Sequence, residues 1–216
     1  MEIYATIVSF FQDGGLFMYP IVLVFAIGAA IAIERWVFLS LSGTRNRMVW
    51  NKLAPMLKAG NYKQAHGVVS SSKTAMAQIL SYGLNRVRNA RRRDDIEKAM
   101  EESLMEVLPR LEKRTHYLAT LANIATLLGL LGTIIGLIRA FTAVSNANPA
   151  DKADLLSASI SVAMNTTAFG LMVAIPLLLV HALLQTKTNQ LVDSLEMASV
   201  KFLNAVTERQ LKGAGA

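Results

Sequence analysis

The sequence predicts an all-α integral membrane protein with three transmembrane helices, and three observations carry that class. Hydrophobic residues make up 53% of the 216-residue chain and charged residues only 17%, with a mean hydropathy of +0.38. That is too apolar for an ordinary soluble domain of this length. Three apolar runs, Gly14 to Ile33, Tyr117 to Val144 and Leu155 to Leu184, are each long enough to cross a hydrocarbon core of about 30 Å. Finally, the basic residues collect between the runs. Sixteen lysines and arginines lie from Arg35 to Arg114 and four from Lys187 to Lys212, whereas residues 1 to 13 carry none and the 145 to 154 loop only Lys152. Because lysine and arginine stay on the cytoplasmic side, the N-terminus is placed outside and the C-terminus in the cytoplasm.

The elements follow in order. Residues 1–13, with Ile3, Ile7, Val8, Phe10 and Phe11, read as an amphipathic segment on the outer interface. Glu2 and Asp13 without any lysine or arginine argue against a cleavable signal peptide, so the first span, 14–34, is expected to stay in the mature chain. Glu34, Arg35 and Trp36 read as an interfacial anchor. Residues 35–114 form a cytoplasmic helical segment, with helix-type spacing over Met48 to Ala59, Asn61 to Val69, Thr74 to Asn89 and Asp94 to Lys113. Asp94 and Asp95 favour a helix start after Arg91-Arg92-Arg93, a solvated junction, and Pro109 is a candidate kink. The second span, 115–144, and the third, 155–185, form a hairpin across the turn-prone Ser145-Asn146-Ala147-Asn148-Pro149, and 186–216 is a cytoplasmic C-terminal helix. No terminator stands at the membrane surface before the second span or after the third, so both are expected to continue as long rods between cytoplasm and bilayer.

Composition also excludes chemistry. There is no cysteine and only three histidines, so thiol chemistry, disulfides and a zinc cluster are out of reach. The pI near 9.8 would point to nucleic acid in a soluble protein, but here the positive charge is topological and no nucleic acid is expected. No nucleophile, base and oxyanion constellation appears, and an enzyme is not expected.

Polar groups inside a span report what the helix faces, because hydrocarbon leaves them unpaired. The second span holds Thr120, Asn123, Thr126 and Thr133, the last three on roughly one side, with Gly129, Gly132 and Gly136 offering a small-residue surface for close helix approach. The third holds Ser157, Ser159, Ser161, Asn165, Thr166 and Thr167, then Gly170 and Ala174, with Pro176 a candidate kink that frees a carbonyl. Each hydroxyl can instead bond its own carbonyl four residues back, and the glycines can simply pack helices. No Asp or Glu lies within the apolar runs, the nearest being Glu34 at the cytoplasmic end of the first, so the chain alone has no titratable group for a proton relay. It can offer a polar lining, or oxygen ligands for a dehydrated cation, with the carboxylate supplied by another polypeptide. Arg139 reads as snorkelling to the outer interface, and His116 and His181 as interfacial hydrogen-bonding groups.

Two segments carry a resemblance to a known family. Leu127-Leu128-Gly129-Leu130-Leu131-Gly132-Thr133-Ile134-Ile135-Gly136-Leu137-Ile138 and Ile160 to Pro176, including Asn165-Thr166-Thr167-Ala168-Phe169-Gly170-Leu171 and Ala174-Ile175-Pro176, resemble the MotA/TolQ/ExbB family of ion-driven motor subunits, nearest its ExbB/TolQ branch. The resemblance covers essentially the whole chain. It implies a homopentamer in the bacterial inner membrane around a single-span ExbD/TolR-like partner, a dimer in the pore, whose helix bears the missing aspartate. It places the family's two pore threonines at Thr133 and Thr167, and implies that ion flow turns the pentamer against its partner to energise periplasmic or outer-envelope work. No cofactor is implied beyond transported H+ or Na+. The chain departs from the branch at Val162, where ExbB and TolQ usually have a Glu five residues before the second threonine. With the oxygens of Asn165 and Thr166 nearby, that departure makes sodium, held at Thr133, Thr166 and Thr167, a rival to the proton that the family majority favours. The alternative is a non-conducting membrane scaffold for a partner complex; a small secondary transporter lacks the internal symmetry it would need.

Overall fold

A computed structural model describes residues 15–87, 92–145 and 148–214. The outer N-terminal segment, Gly14, Asn89 and the centre of the hairpin loop lie outside the described residues. Among those described there is no strand, and six helices follow one another: α1 (Met18–Ala59), α2 (Tyr62–Ser70), α3 (Ala75–Val87), α4 (Arg93–Glu112), α5 (Thr115–Ser145) and α6 (Lys152–Ala214). Stretches within α1, α5 and α6 reach mean hydropathies of 2.1, 2.1 and 2.2, so three helices are long and apolar enough to cross a membrane.

The chain divides into two compact units. The first comprises Met1–Glu34 and Arg114–Leu183. Here α1 begins after Gly15, which adopts φ +74° and accepts the Met18 N–H at 3.2 Å. Pro20 follows in the first turn, where its missing N–H costs nothing. The interior is built largely of small residues: Ala122, Ala125, Gly129, Gly132, Ala140, Ala163 and Ala174 are buried beside Met18, Ile21 and Leu118. Such residues let helix backbones approach closely, which matters where lipid removes the usual hydrophobic drive between helices. At the hairpin, Asp151 donates its N–H to Asn148 and accepts that of Leu155, so α6 begins at Lys152, three residues before the expected third span.

The second unit comprises Arg35–Lys113 and Leu184–Ala216. Its core contains Leu53, Ile79, Leu80, Ile96, Met100, Leu184, Leu195 and Phe202. Its short helices are capped by their own turns. Asn61 accepts the Gln64 N–H, Thr74 accepts that of Ala77, and buried Asn46 reaches across to accept that of Met76, satisfying donors that a helix start leaves open. In α4, Asp94 and Asp95 occupy the first turn, and Asp95 accepts the Arg92 N–H.

Three expectations are corrected. The helix expected from Met48 is not separate, because α1 runs unbroken for 42 residues through Gly43 and Pro55; no breaker strong enough stands between Ile33 and Met48. The rod expected to enter the second span is broken. Although α4 passes through Pro109, it ends at Glu112, and Arg114 takes a left-handed φ of 66° before α5 starts. Glu34 pairs with Arg114 at 3.7 Å across that bend. By contrast, α6 continues for 63 residues through Pro176. Third, Arg35 is not an interfacial anchor. It is 2% exposed, donates to the Leu111 carbonyl and lies 4.7 Å from the Phe38 ring. The carbonyls of a helix's last turn lack intrahelical partners, and the guanidinium caps one of them.

Candidate functional site

The site forms where α5 and α6 touch, within the first unit. Its geometry is set by glycines. A methyl group added at Gly129 would meet the backbone of Thr167, Thr166 and Gly170 at 3.2 to 3.4 Å, and one at Gly170 would meet the Ala125 carbonyl oxygen at 2.7 Å. Main chains are therefore in direct contact at this crossing. One turn outward, Gly132 makes the notch that receives the Thr166 methyl, and at Gly136 an added Cβ would stand 2.7 Å from Ala163 Cβ.

That close approach brings two hydroxyls onto one carbonyl. Thr133 Oγ1 donates to the Gly129 oxygen at 3.1 Å, one turn back in its own helix, and Thr167 Oγ1 donates to the same oxygen from α6 at 2.8 Å. The two hydroxyl oxygens are also in hydrogen-bond contact with each other. Each hydroxyl has one proton to give, so each oxygen keeps lone pairs that can ligate a cation or accept a donor from another molecule.

The other sequence-derived candidates are placed differently. Thr166 is buried and gives its hydroxyl to Val162 O at 3.0 Å, and Thr126 bonds back to Ala122 O at 3.1 Å. Asn165 is half-buried, whereas Asn123 and Thr120 are exposed, with Thr120 bonded back to His116 O. Pro176 lies within α6 two turns beyond Gly170. Val162 lines a small pocket of about 120 Å³ with Gly132, Ser159, Thr166 and Arg139, whose side chain is exposed in the single chain. His116 stacks at a tilt on Tyr117 with ring centroids 4.1 Å apart. Among the described residues no group of three His, Cys, Asp or Glu could hold a metal ion. The Gly129 carbonyl, which accepts from both hydroxyls, is the part of the candidate site that sequence reasoning missed. A backbone acceptor has no side-chain signature, and only the spacing of Gly129 to Thr133 hinted at it.

In the second unit, Lys187 Nζ sits 3.4 Å from the Trp36 ring centroid and 3.2 Å from Ser40 Oγ. This cation–π contact fixes α6 against α1 just beyond their apolar stretches. It too was not foreseen, because it joins residues 151 positions apart.

Comparison with known proteins follows from this geometry. The MotA/TolQ/ExbB proton channel family matches residues 71–197, more than half of the chain. The matched stretch contains α5, the hairpin and the first two-thirds of α6, and with them both threonines and all four contacting glycines. A biopolymer transport protein ExbB homolog of Methanothermobacter thermautotrophicus is 26% identical over 199 residues, covering 91% of this chain and 69% of that protein. This all-helical chain, with three helices long and apolar enough to cross a membrane, therefore belongs to the MotA/TolQ/ExbB proton channel family.

Proposed function

We propose that the chain is the ion-conducting subunit of an inner-membrane motor of the ExbB/TolQ kind, coupling ion flow to work on periplasmic or outer-membrane partners. The observation that carries the reading is the oxygen cluster of Thr133, Thr167 and Gly129, set between a second and a third span without a carboxylate. Such a cluster has a use when a foreign acid sits against it. The partner would be a single-span subunit bearing one membrane aspartate, present as a dimer inside a homopentamer of this chain. The exposed surface supports assembly: the apolar windows of the three helices are only 17%, 22% and 28% buried within one chain, leaving much of their surface for lipid and neighbouring subunits. The long non-membrane parts of α1, α4 and α6 are assigned to the cytoplasm, and the N-terminus to the periplasm, from the distribution of lysine and arginine. The relative's name, biopolymer transport protein, fits the same kind of task.

The proton is the preferred ion because the matching family is described as a proton channel family. Sodium held at Thr133, Thr166 and Thr167 is the alternative, because a hydroxyl that donates its proton still offers oxygen lone pairs to a cation. The test is flux through vesicles containing the chain and a single-span, aspartate-bearing partner, read with a pH dye and a sodium dye in parallel. Thr133→Val and Thr167→Val should each abolish flux while leaving the assembly intact by native mass spectrometry. Undiminished envelope function in both variants would favour the non-conducting scaffold and defeat the motor reading.

A further inference from the structure

The second unit contains a groove whose chemistry is unlike that of the threonine cluster. Helices α1, α3 and α4 and the turn before α3 border a half-open groove of about 630 Å³, whose lining includes Arg45, Lys52, Lys73 and Arg110 without one carboxylate. The absence of acids is selective. Helix α4 alone carries Asp94, Asp95, Glu97, Glu101, Glu102, Glu106 and Glu112, yet none of them lines this groove. Only Arg110 has an ion-pair partner, Glu106 at 3.2 Å, and Arg45, Lys52 and Lys73 have no ion pair among the described residues. Cations spread over a helical surface are ordinary on the cytoplasmic side of a membrane protein. Four on the lining of one open groove is a different arrangement: all four side chains are exposed, and together they raise the local concentration of anions.

Ser71, Ser72, Thr74 and Gln78 also line the groove. The Ser71 hydroxyl donates to Val68 O and those of Ser72 and Thr74 bond each other, while the first N–H groups of α3 are taken by Asn46 and Thr74. The start of α3 therefore adds field but few free donors, and the charged side chains carry the recognition. The lining also includes the apolar Phe38, Val49, Val107 and Leu111, which could cover a ring or other apolar group.

We propose that this groove binds a soluble, multiply charged phosphate anion of the polyphosphate or nucleotide class. Charge count separates this source from a membrane lipid: a phospholipid diester brings about one negative charge, whereas a di- or triphosphate brings about three or four. Three unpaired cations and a fourth shared with Glu106 match the second. The inference does not rest on the ion-motor reading, since the groove lies wholly within the second unit.

The test uses the full-length protein in neutral detergent at low ionic strength, with inorganic pyrophosphate as the probe and phosphorus NMR line broadening as the readout. Saturable binding is expected, falling as salt is added. Arg45→Gln combined with Lys73→Gln should weaken it at least tenfold, while Lys58→Gln, an exposed α1 cation outside the lining, should leave it unchanged. If the double variant is poorly folded by circular dichroism, Lys52→Gln replaces it with the same expected direction. No saturable broadening, or equal binding by the variants, overturns the proposal. So does a second arm, native mass spectrometry from nanodiscs, if phosphatidylglycerol is retained through Arg45 and Lys73 while pyrophosphate fails to bind.

Discussion

Replacing Gly170 with alanine should disturb the α5–α6 crossing more than any other single methyl group. The new Cβ would stand 2.7 Å from the Ala125 carbonyl oxygen, 3.1 Å from Gly129 Cα and 3.4 Å from Gly129 N. All three are main-chain atoms of α5, so no rotamer change can make room, and the helices must part by roughly 0.7 Å to restore an ordinary van der Waals separation. The same movement stretches the Thr167 hydrogen bond to Gly129 from 2.8 Å to about 3.5 Å, the edge of a useful interaction. Overpacking of this kind costs about 1–3 kcal/mol, and loss of the hydrogen bond adds about 0.5–1.5. Gly67→Ala in α2 provides the control. Nothing lies within 4 Å of its added methyl, so helix propensity alone should stabilise the chain by up to about 1 kcal/mol. Thermal denaturation of both variants in one detergent should move the midpoint down for Gly170→Ala and up or nowhere for Gly67→Ala. If Gly170→Ala melts with the parent protein, the backbone contact at the crossing is wrong, and the oxygen cluster built on it falls too.

Three other predictions address separate contacts. Because the chain has no cysteine, Gly136→Cys with Ala163→Cys gives an unambiguous cross-link; oxidation should join the pair within one chain, seen as protection from thiol labelling, after the helices open by about 1 Å to reach disulfide spacing. Arg114→Gly should be neutral or stabilising by up to about 1 kcal/mol, since it removes the left-handed penalty at φ 66° while losing only an exposed 3.7 Å ion pair, whereas Arg114→Val should destabilise; paired melting curves decide it. Arg35→Leu should lower stability by about 1–3 kcal/mol by stripping the Leu111 carbonyl of its donor, and faster hydrogen exchange at the end of α4 would localise the effect.

The spans were legible because transfer into hydrocarbon depends on summed hydropathy, and the apolar runs at Gly14 to Ile33, Tyr117 to Val144 and Leu155 to Leu184 have no competing explanation. The spacing of Gly132 and Gly136 was equally visible, since small residues four apart share a helix face. Other features left no trace in one dimension. A left-handed arginine at 114 carries none of the glycine or asparagine signals that usually announce such a bend, so the break between α4 and α5 stayed hidden. Arg35 read as an interfacial anchor because the carbonyl it caps is 76 positions away. The meeting of Thr133 and Thr167 on one oxygen depends on how two helices cross, which neither helix encodes alone.

The shared Gly129 carbonyl has a consequence for what could rest against this seam. An ionised carboxylate brings only lone pairs to a place already crowded with them, whereas the same group carrying its hydrogen completes the set. The neutral acid would rest there with the threonine hydroxyls as they stand, and its anion would be held only by turning one of them away from Gly129.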